Sequence, residues 1–238
     1  LCREHPPVPF DVLSINIGST PGLRVPGAKG TVVPVKPIDG FWPKWKALRD
    51  RCLQRRNETH IGVVGGGAGG VELLLSVQYS LDRLLARQGR SSSHLHFHLA
   101  TSGDEILPTH NSRVRAKLCR VLQERGVEVM TNSKVTAIEG SGCQLAFEKG
   151  GGLDLDEVLW VTTATAASWP EESGFDVDDH GFIRVRDTLQ TMTDADIFAA
   201  GDIATVIDHP RPKAGVFAVR QGPPLTENIR LRLLGEAA

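Results

Sequence analysis

Apolar residues in this chain fall into short stretches of two different periods, separated by Gly, Pro and Ser. Ile61-Gly62-Val63-Val64 is a continuous apolar run, the pattern of a strand buried on both faces. It enters Gly65-Gly66-Gly67-Ala68-Gly69-Gly70. Beyond that cluster the apolar positions are Val71, Leu74, Leu75, Leu81, Leu84 and Leu85, the spacing of a helix with one buried stripe. His94–Ala100 alternates, with Leu95, Phe97 and Leu99 on one face, and predicts a strand. Asn111 or Ser112 can cap a second helix carrying Val114, Leu118, Val121 and Leu122 on one side, and Gly126 ends it. A strand at Val127–Thr131 follows. Three shorter ones are predicted at Lys134–Glu139, Cys143–Glu148 and Glu157–Thr163. Gly140-Ser141-Gly142 and Gly150-Gly151-Gly152 serve as turns between them.

The flanks are less regular. Residues 1–9 read as a polar, Pro-rich loop. Phe10–Ile17 predicts a strand that ends at Gly18-Ser19-Thr20-Pro21. Pro21–Pro43 is rich in Pro and Gly and reads as a linker, and Trp42, Trp45 and Leu48 start a helix through about Arg56. Near the other end, Phe182–Val185 and Ile197–Ala200 read as strands, the second running into Gly201-Asp202. A last helical segment spans about Ala214–Leu234, where Pro223 and Pro224 are expected to interrupt or kink it because each removes a backbone donor. The β-α-β-α-β series with an inserted antiparallel meander predicts an α/β fold. It would be a doubly wound, Rossmann-like parallel sheet with helices on both faces and the meander to one side.

The glycines carry the first chemical signal. Gly65, Gly67 and Gly70 have G-x-G-x-x-G spacing between a strand and a helix. The first would allow a sharp turn, the second close approach of a pyrophosphate, and the third close helix–strand packing. An anion there meets the positive end of a helix dipole. The acid that would grip a ribose 2′-hydroxyl belongs at the end of the next strand. Here Ala100 is followed by Thr101-Ser102-Gly103, and the first acids are Asp104 and Glu105. Thr101 therefore stands at the cofactor-binding position. No Arg follows at once, so the sequence favours NADH over NADPH.

Composition mainly excludes. The 238 residues have 27 Lys plus Arg against 28 Asp plus Glu, a net charge of −1, so no one-sign field invites nucleic acid. Cys2, Cys52, Cys119 and Cys143 form no C-x-x-C pair, which argues against a zinc ribbon or local redox disulfide and fits a reducing cytoplasm. His94, His96 and His98 share a strand face, but a tetrahedral site needs more ligands than the neighbouring pattern offers, so no metal is expected. G-x-S-x-G, the nucleophile motif of many hydrolases, is absent. No apolar run has the roughly 18 residues that suggest a membrane span. Residue 1 is Leu rather than Met, which suggests a fragment or processed chain.

Three stretches together resemble a known family. Gly65-Gly66-Gly67-Ala68-Gly69-Gly70-Val71-Glu72 resembles the second, NAD-binding fingerprint of the two-dinucleotide flavoproteins. These are the pyridine nucleotide–disulfide oxidoreductases, which include type II NADH dehydrogenases and sulfide:quinone reductases. Thr193–Asp202 resembles their late flavin motif, a strand ending in Gly-Asp. Ser14–Pro21 resembles the strand and turn leaving the flavin domain, and Pro212–Gly215 with Ala218–Gly222 the helix that returns under the flavin ring. Within that family the chain resembles the NADH dehydrogenase-like flavoproteins fused to selenide, water dikinase. The family's opening FAD motif has no counterpart before Phe10, and paired redox cysteines are absent.

The resemblance implies an enzyme using FAD in the full-length protein and NAD(H), passing hydride from NADH to flavin and on to a quinone or other acceptor. A sulfide-oxidising relative and a non-catalytic nucleotide-binding module are the alternatives. It implies segments 1–24 as a flavin-domain remnant, 25–56 as linker and helix, 57–178 as the NAD domain and 179–238 as the closing part of the flavin domain. Glu72 would relay protons near the flavin–nicotinamide meeting point. Gly18, Gly201, Asp202, Lys213 and Gln221 would face the flavin. The Ala-Gln pair found near the quinone in many type II enzymes falls on Gly215 and Val216. The implied location is cytoplasmic, extending to a peripheral seat on the inner face of the membrane.

Overall fold

A computed structural model of the protein describes residues 6–23, 25–140, 143–162 and 164–236. Cys2, the Ser141-Gly142 half of the first meander turn and the Thr163 end of the strand expected at 157–163 lie outside them. The strands are β1 (Leu13–Ile15), β2 (Thr20–Pro21), β3 (Val33–Pro34), β4 (Thr59–Val64), β5 (Leu95–Ala100), β6 (Glu128–Met130) and β7 (Val135–Glu139). They continue with β8 (Cys143–Phe147), β9 (Gly152–Leu155), β10 (Glu157–Trp160), β11 (Ala164–Thr165), β12 (Ile183–Val185), β13 (Ile197–Ala199) and β14 (Ala204–Val206). The helices are α1 (Ile38–Gln54), α2 (Ala68–Arg87), α3 (Ser112–Glu124), α4 (Trp169–Glu172) and α5 (Gly215–Leu233). The chain divides into two units, one of Pro21–Thr163 and one of Leu1–Thr20 with Ala164–Ala238.

The first of these is built on a parallel sheet in the order β3-β10-β4-β5-β6. Ile61 and Val63 of β4, Phe97 and Leu99 of β5 and Leu159 of β10 face one way. They share a core with Leu48 and Cys52 of α1, Val71, Leu74, Leu81 and Leu85 of α2, and Leu122 of α3. Val64, Val158 and Trp160 face the other way and pack on Val135, Ile138, Leu145 and Leu155 of the antiparallel β7-β8-β9 meander.

The expectation of helices on both faces is therefore corrected: all three long helices of this unit share one face and the meander takes the other. The strand order explains it. The chain steps in one direction from β4 to β5 to β6, and successive right-handed crossovers place α2 and α3 on the same side. The meander then buries what would otherwise be exposed apolar surface. Leu155 sits so close that a Cβ built on Gly62 would lie 2.3 Å from its Cδ1.

Local chemistry fixes the element ends. Asn111 Oδ1 accepts from the Val114 N–H at 3.0 Å, the N-cap bond expected for α3. Gly126 closes that helix at φ +66°, a left-handed conformation that glycine adopts without penalty. Arg51 on α1 grips Glu157 on β10 with two bonds of 2.6 and 2.7 Å. Next to it, Arg55 pairs with Asp156, whose other oxygen accepts from the His60 N–H at 2.8 Å.

The second unit holds two parallel pairs, β1 with β13 and β12 with β14. Ile15, Ile183, Val185, Phe198 and Ile203 form its core. The strand expected at Phe10–Ile17 contracts to Leu13–Ile15, because only this stretch finds a partner, Ile197–Ala199. Helix α5 is continuous through Pro223 and Pro224, so of the expected interruption or kink the interruption does not occur. Proline's fixed φ suits a helix once its missing donor is tolerated, and Gly222 before it has no Cβ to crowd the ring. Strands β3, β9 and β14 are too short to show a period and were not expected.

Candidate functional site

Four parallel strands of the first unit end at one edge, where the backbone ladder continues into the loops. Gly65 N–H donates to Ala100 O at 2.8 Å, Thr101 N–H to Met130 O at 2.9 Å, and Val161 N–H to Val64 O at 2.8 Å. A cavity of about 500 Å³ opens over this carboxyl edge, lined in part by Gly65, Gly66, Gly67, Thr101, Lys134 and Trp160. Trp160 is fixed as a wall of it by burial and by its Nε1–H bond to Gly22 O at 2.8 Å. The crevice beyond the carboxyl ends of parallel strands is where α/β sheets bind ligands.

The glycines differ in what surrounds them. Gly65 turns the chain at φ +127°, and a Cβ there would lie 2.1 Å from Val161 O. Gly70 lets α2 pack onto the strand, since its Cβ would lie 1.8 Å from Gly65 O. Around Gly67 a Cβ would meet nothing within 4 Å. Gly67 is the N-cap of α2, and its carbonyl accepts from the Gly70 and Val71 N–H groups. Among the described residues no backbone acceptor takes the N–H of Gly67, Ala68 or Gly69. They are the orphan donors of a helix start, the kind of helix end at which anions bind, and Gly67 lines the cavity. Gly66, which carries no role in the motif, is also confined: its Cβ would lie 2.6 Å from that of Thr101.

Thr101 lies where the sequence places it, in the cavity wall. Asn132 N–H donates to Gly103 O at 2.7 Å and Ser133 N–H to Thr101 O at 2.8 Å, so the loop after β6 is stitched to the loop after β5. That stitch brings in Lys134, which no sequence pattern singled out. Glu105 also lines the cavity, in an ion pair with Arg115 of α3 at 2.5 Å. Lys134 pairs with Glu148 at 2.6 Å, both largely exposed. Glu72 is exposed and is the fifth residue of α2. It does not line the cavity.

The flavin-facing candidates lie in the second unit. Ser19 Oγ–H donates to Asp202 Oδ2 at 2.7 Å. Gly201, at φ +76°, gives its N–H to Gln221 Oε1 at 2.7 Å. Lys213 Nζ donates to Ala204 O at 2.6 Å and Thr205 Oγ1 at 2.9 Å and stands 4.0 Å from the Phe182 ring centre. Burial lowers its pKa, partly offset by Asp178 and Asp202. Around Gly18 a Cβ would meet nothing within 4 Å. Val216, at the family's quinone-side position, is exposed. Among the described residues the strand–glycine–helix cradle occurs once, in the first unit. The first unit thus has the cradle shape that a dinucleotide requires, whereas among the described residues the second has no such cradle.

The histidine face is a hydrogen-bonded row. His60 Nδ1 and His98 Nε2 are 3.0 Å apart, His98 Nδ1 meets Glu128 at 2.9 Å, and His96 pairs with Glu58. Burial lowers the His98 pKa, with Glu128 opposing and His60 and His96 adding to it. Among the described residues no three His, Cys, Asp or Glu side chains are placed to hold a metal. Cys52 is buried, which pushes its thiol up to about 12, the behaviour of an unreactive core residue.

The sequence model of one family, described as pyridine nucleotide-disulphide oxidoreductase, matches residues 5–222. A type II NADH:quinone oxidoreductase of Haemophilus influenzae is 32% identical over 158 residues, 65% of this chain and 35% of that protein. The demethylphylloquinone reductase NdbB of Synechocystis is 29% identical over 195 residues, 81% of this chain and 46% of that protein. The chain thus spans less than half the length of these two relatives. The solved structure of NDH2 from Plasmodium falciparum in complex with NADH shares the fold at a TM-score of 0.70 with 17% identity, over 83% of this chain and 44% of that one.

Proposed function

The chain belongs to the pyridine nucleotide-disulphide oxidoreductase family, and from that premise we propose that it is the nucleotide-handling part of an FAD-dependent NADH dehydrogenase passing electrons to a quinone or other acceptor. The names of the Haemophilus and Synechocystis relatives support both ends of that reaction. The observation that carries the reading is the start of α2 at the cavity: Gly65, Gly66 and Gly67 line it, a Cβ on Gly67 would meet nothing within 4 Å, and among the described residues no backbone acceptor takes the N–H of Gly67, Ala68 or Gly69. A diphosphate docked there gains charge-assisted hydrogen bonds without reorganising the backbone.

Flavin, bound by the whole protein, supplies the two-electron acceptor for hydride from the nicotinamide. This chain's share is positioning, which lowers the barrier by holding the reactive carbon in one place. Asp202, with Gly18, Gly201, Lys213 and Gln221, is assigned to the flavin side, and exposed Glu72 to proton relay. A peripheral seat on the inner face of the membrane and a fused selenide, water dikinase domain belong to the same proposal. Among the described residues no helix is long and apolar enough to cross a membrane.

The test is calorimetric titration of NADH into the wild-type chain, Gly67→Val and Thr101→Asp. Gly67→Val should lose on the order of 2 kcal/mol of binding, the scale of charge-assisted bonds left unmade. Its thermal midpoint should not move, because nothing crowds that position. Thr101→Asp should tighten NADH by adding the acceptor for a 2′-hydroxyl. Equal binding by wild type and Gly67→Val would remove the site.

A further inference from the structure

Resting on the nucleotide reading of this cavity, we propose that the site takes NADPH as well as NADH, with Lys134 as the group that receives the 2′-phosphate. Discrimination against NADPH normally comes from a carboxylate at the end of the second strand, which bonds the 2′-hydroxyl and repels a phosphate. That position holds Thr101, followed by Ser102. Both line the cavity and both are hydroxyls, able to donate to a phosphate or accept from a ribose.

Among the described residues, the lining carries two charged side chains, Glu105 and Lys134, which differ in freedom. Glu105 is held by Arg115 at 2.5 Å, with the arginine three-quarters buried and its Nη2 also bonded to His110 O at 3.1 Å. Its negative charge is therefore answered. Lys134 is paired with Glu148 in an exposed contact, a kind of pair that contributes little and is easily exchanged. A phosphate with charge near −2 competes well against one carboxylate for that ammonium.

Placement follows from the backbone. The bonds from Asn132 to Gly103 and from Ser133 to Thr101 hold the loop carrying Lys134 against the loop carrying Thr101 and Ser102. This is the region where the ribose lies when the pyrophosphate sits on the start of α2. Sequence reading missed the lysine because it lies 33 positions beyond Thr101, in the loop of a different strand. The expected arginine next to the strand end is absent, and a lysine from the neighbouring loop takes its place.

NADH and NADPH are titrated separately into the wild-type chain, Lys134→Gln and Glu148→Gln at low and moderate salt. The wild type should bind the two nucleotides with affinities within about fivefold, NADPH showing the steeper loss with salt. Lys134→Gln should weaken NADPH on the order of tenfold and NADH less than about twofold. Glu148→Gln should tighten NADPH alone by freeing the ammonium. Both substitutions lie on exposed side chains, and unchanged thermal midpoints verify folding. NADH binding with NADPH at least tenfold weaker in the wild type overturns this inference and leaves the site reading intact. An equal loss of both nucleotides in Lys134→Gln also overturns it, since the lysine would then serve the shared part of the ligand. Binding of neither nucleotide overturns the site reading and this inference with it.

Discussion

Three glycines within six residues answer to three different constraints, and substitution separates them. Gly70→Ala places a methyl 1.8 Å from Gly65 O, a clash with backbone that no rotamer relieves. It should cost about 3 kcal/mol, the upper end for overpacking, and lower the denaturant midpoint with or without nucleotide. Gly67→Val meets open space and should leave that midpoint alone while removing the nucleotide's stabilising effect. Parallel unfolding curves with and without NADH distinguish the two. The motif spacing made the loop legible in the sequence but ranked all three glycines together. Only the tertiary structure sets Gly67 against open space and Gly65 and Gly70 against backbone. Lys134 and Arg115 carried no signal, because an isolated cation has no period or spacing to mark it.

Two joints between elements make predictions of their own. Glu157 on β10 is 5% exposed and is held by both nitrogens of the Arg51 fork. Arg51→Ala strands that carboxylate and should destabilise by on the order of 2–3 kcal/mol, the lower part of the buried-pair range because Arg51 is itself half exposed. Glu157→Gln in the same background should recover part of the loss. The second joint is the histidine row across β4, β5 and β6. His98 has its pKa lowered, chiefly by burial, so the folded protein resists protonation there while the unfolded chain accepts it near the usual value of about 6.5. Stability from this group is present above that pH and is lost as pH falls through it toward the lowered folded value, by at most about 1.4 kcal/mol per pH unit. Denaturant midpoints between pH 7.5 and 5 should show the slope, and His98→Gln should flatten it. The alternation of β5 was readable, but the burial of His98, while His94 and His96 stay partly exposed, was not, because burial depends on what packs on the sheet and not on the strand's own period.

At the scale of the molecule, the cradle, the cavity and Lys134 all fall within the continuous stretch 21–163, which has its own cores on both sheet faces. A protein cut to those residues should fold and bind NADH within about threefold of the full chain, since every group that would touch the nucleotide is retained. Circular dichroism and the same titration check it; loss of folding would show that the division is not a folding boundary. The other unit joins Leu13–Ile15 to Ile197–Ala199, a pairing of segments nearly the whole chain apart.

The sequence by itself determined the α/β class, the strand–glycine–helix unit, a cap at Asn111 or Ser112 and the order of the motifs that mark the family. Each of these is local: a period, a spacing or a residue type whose backbone preference acts within a few positions. Tertiary structure alone decided that the helices of the first unit share one face and that the meander closes the other. It also decided that α5 continues through two prolines, and that Lys134 and the Glu105–Arg115 pair border the cavity. These depend on strand order and on which loops the ladder stitches together, and contacts between residues far apart in sequence leave no periodic trace in a single chain.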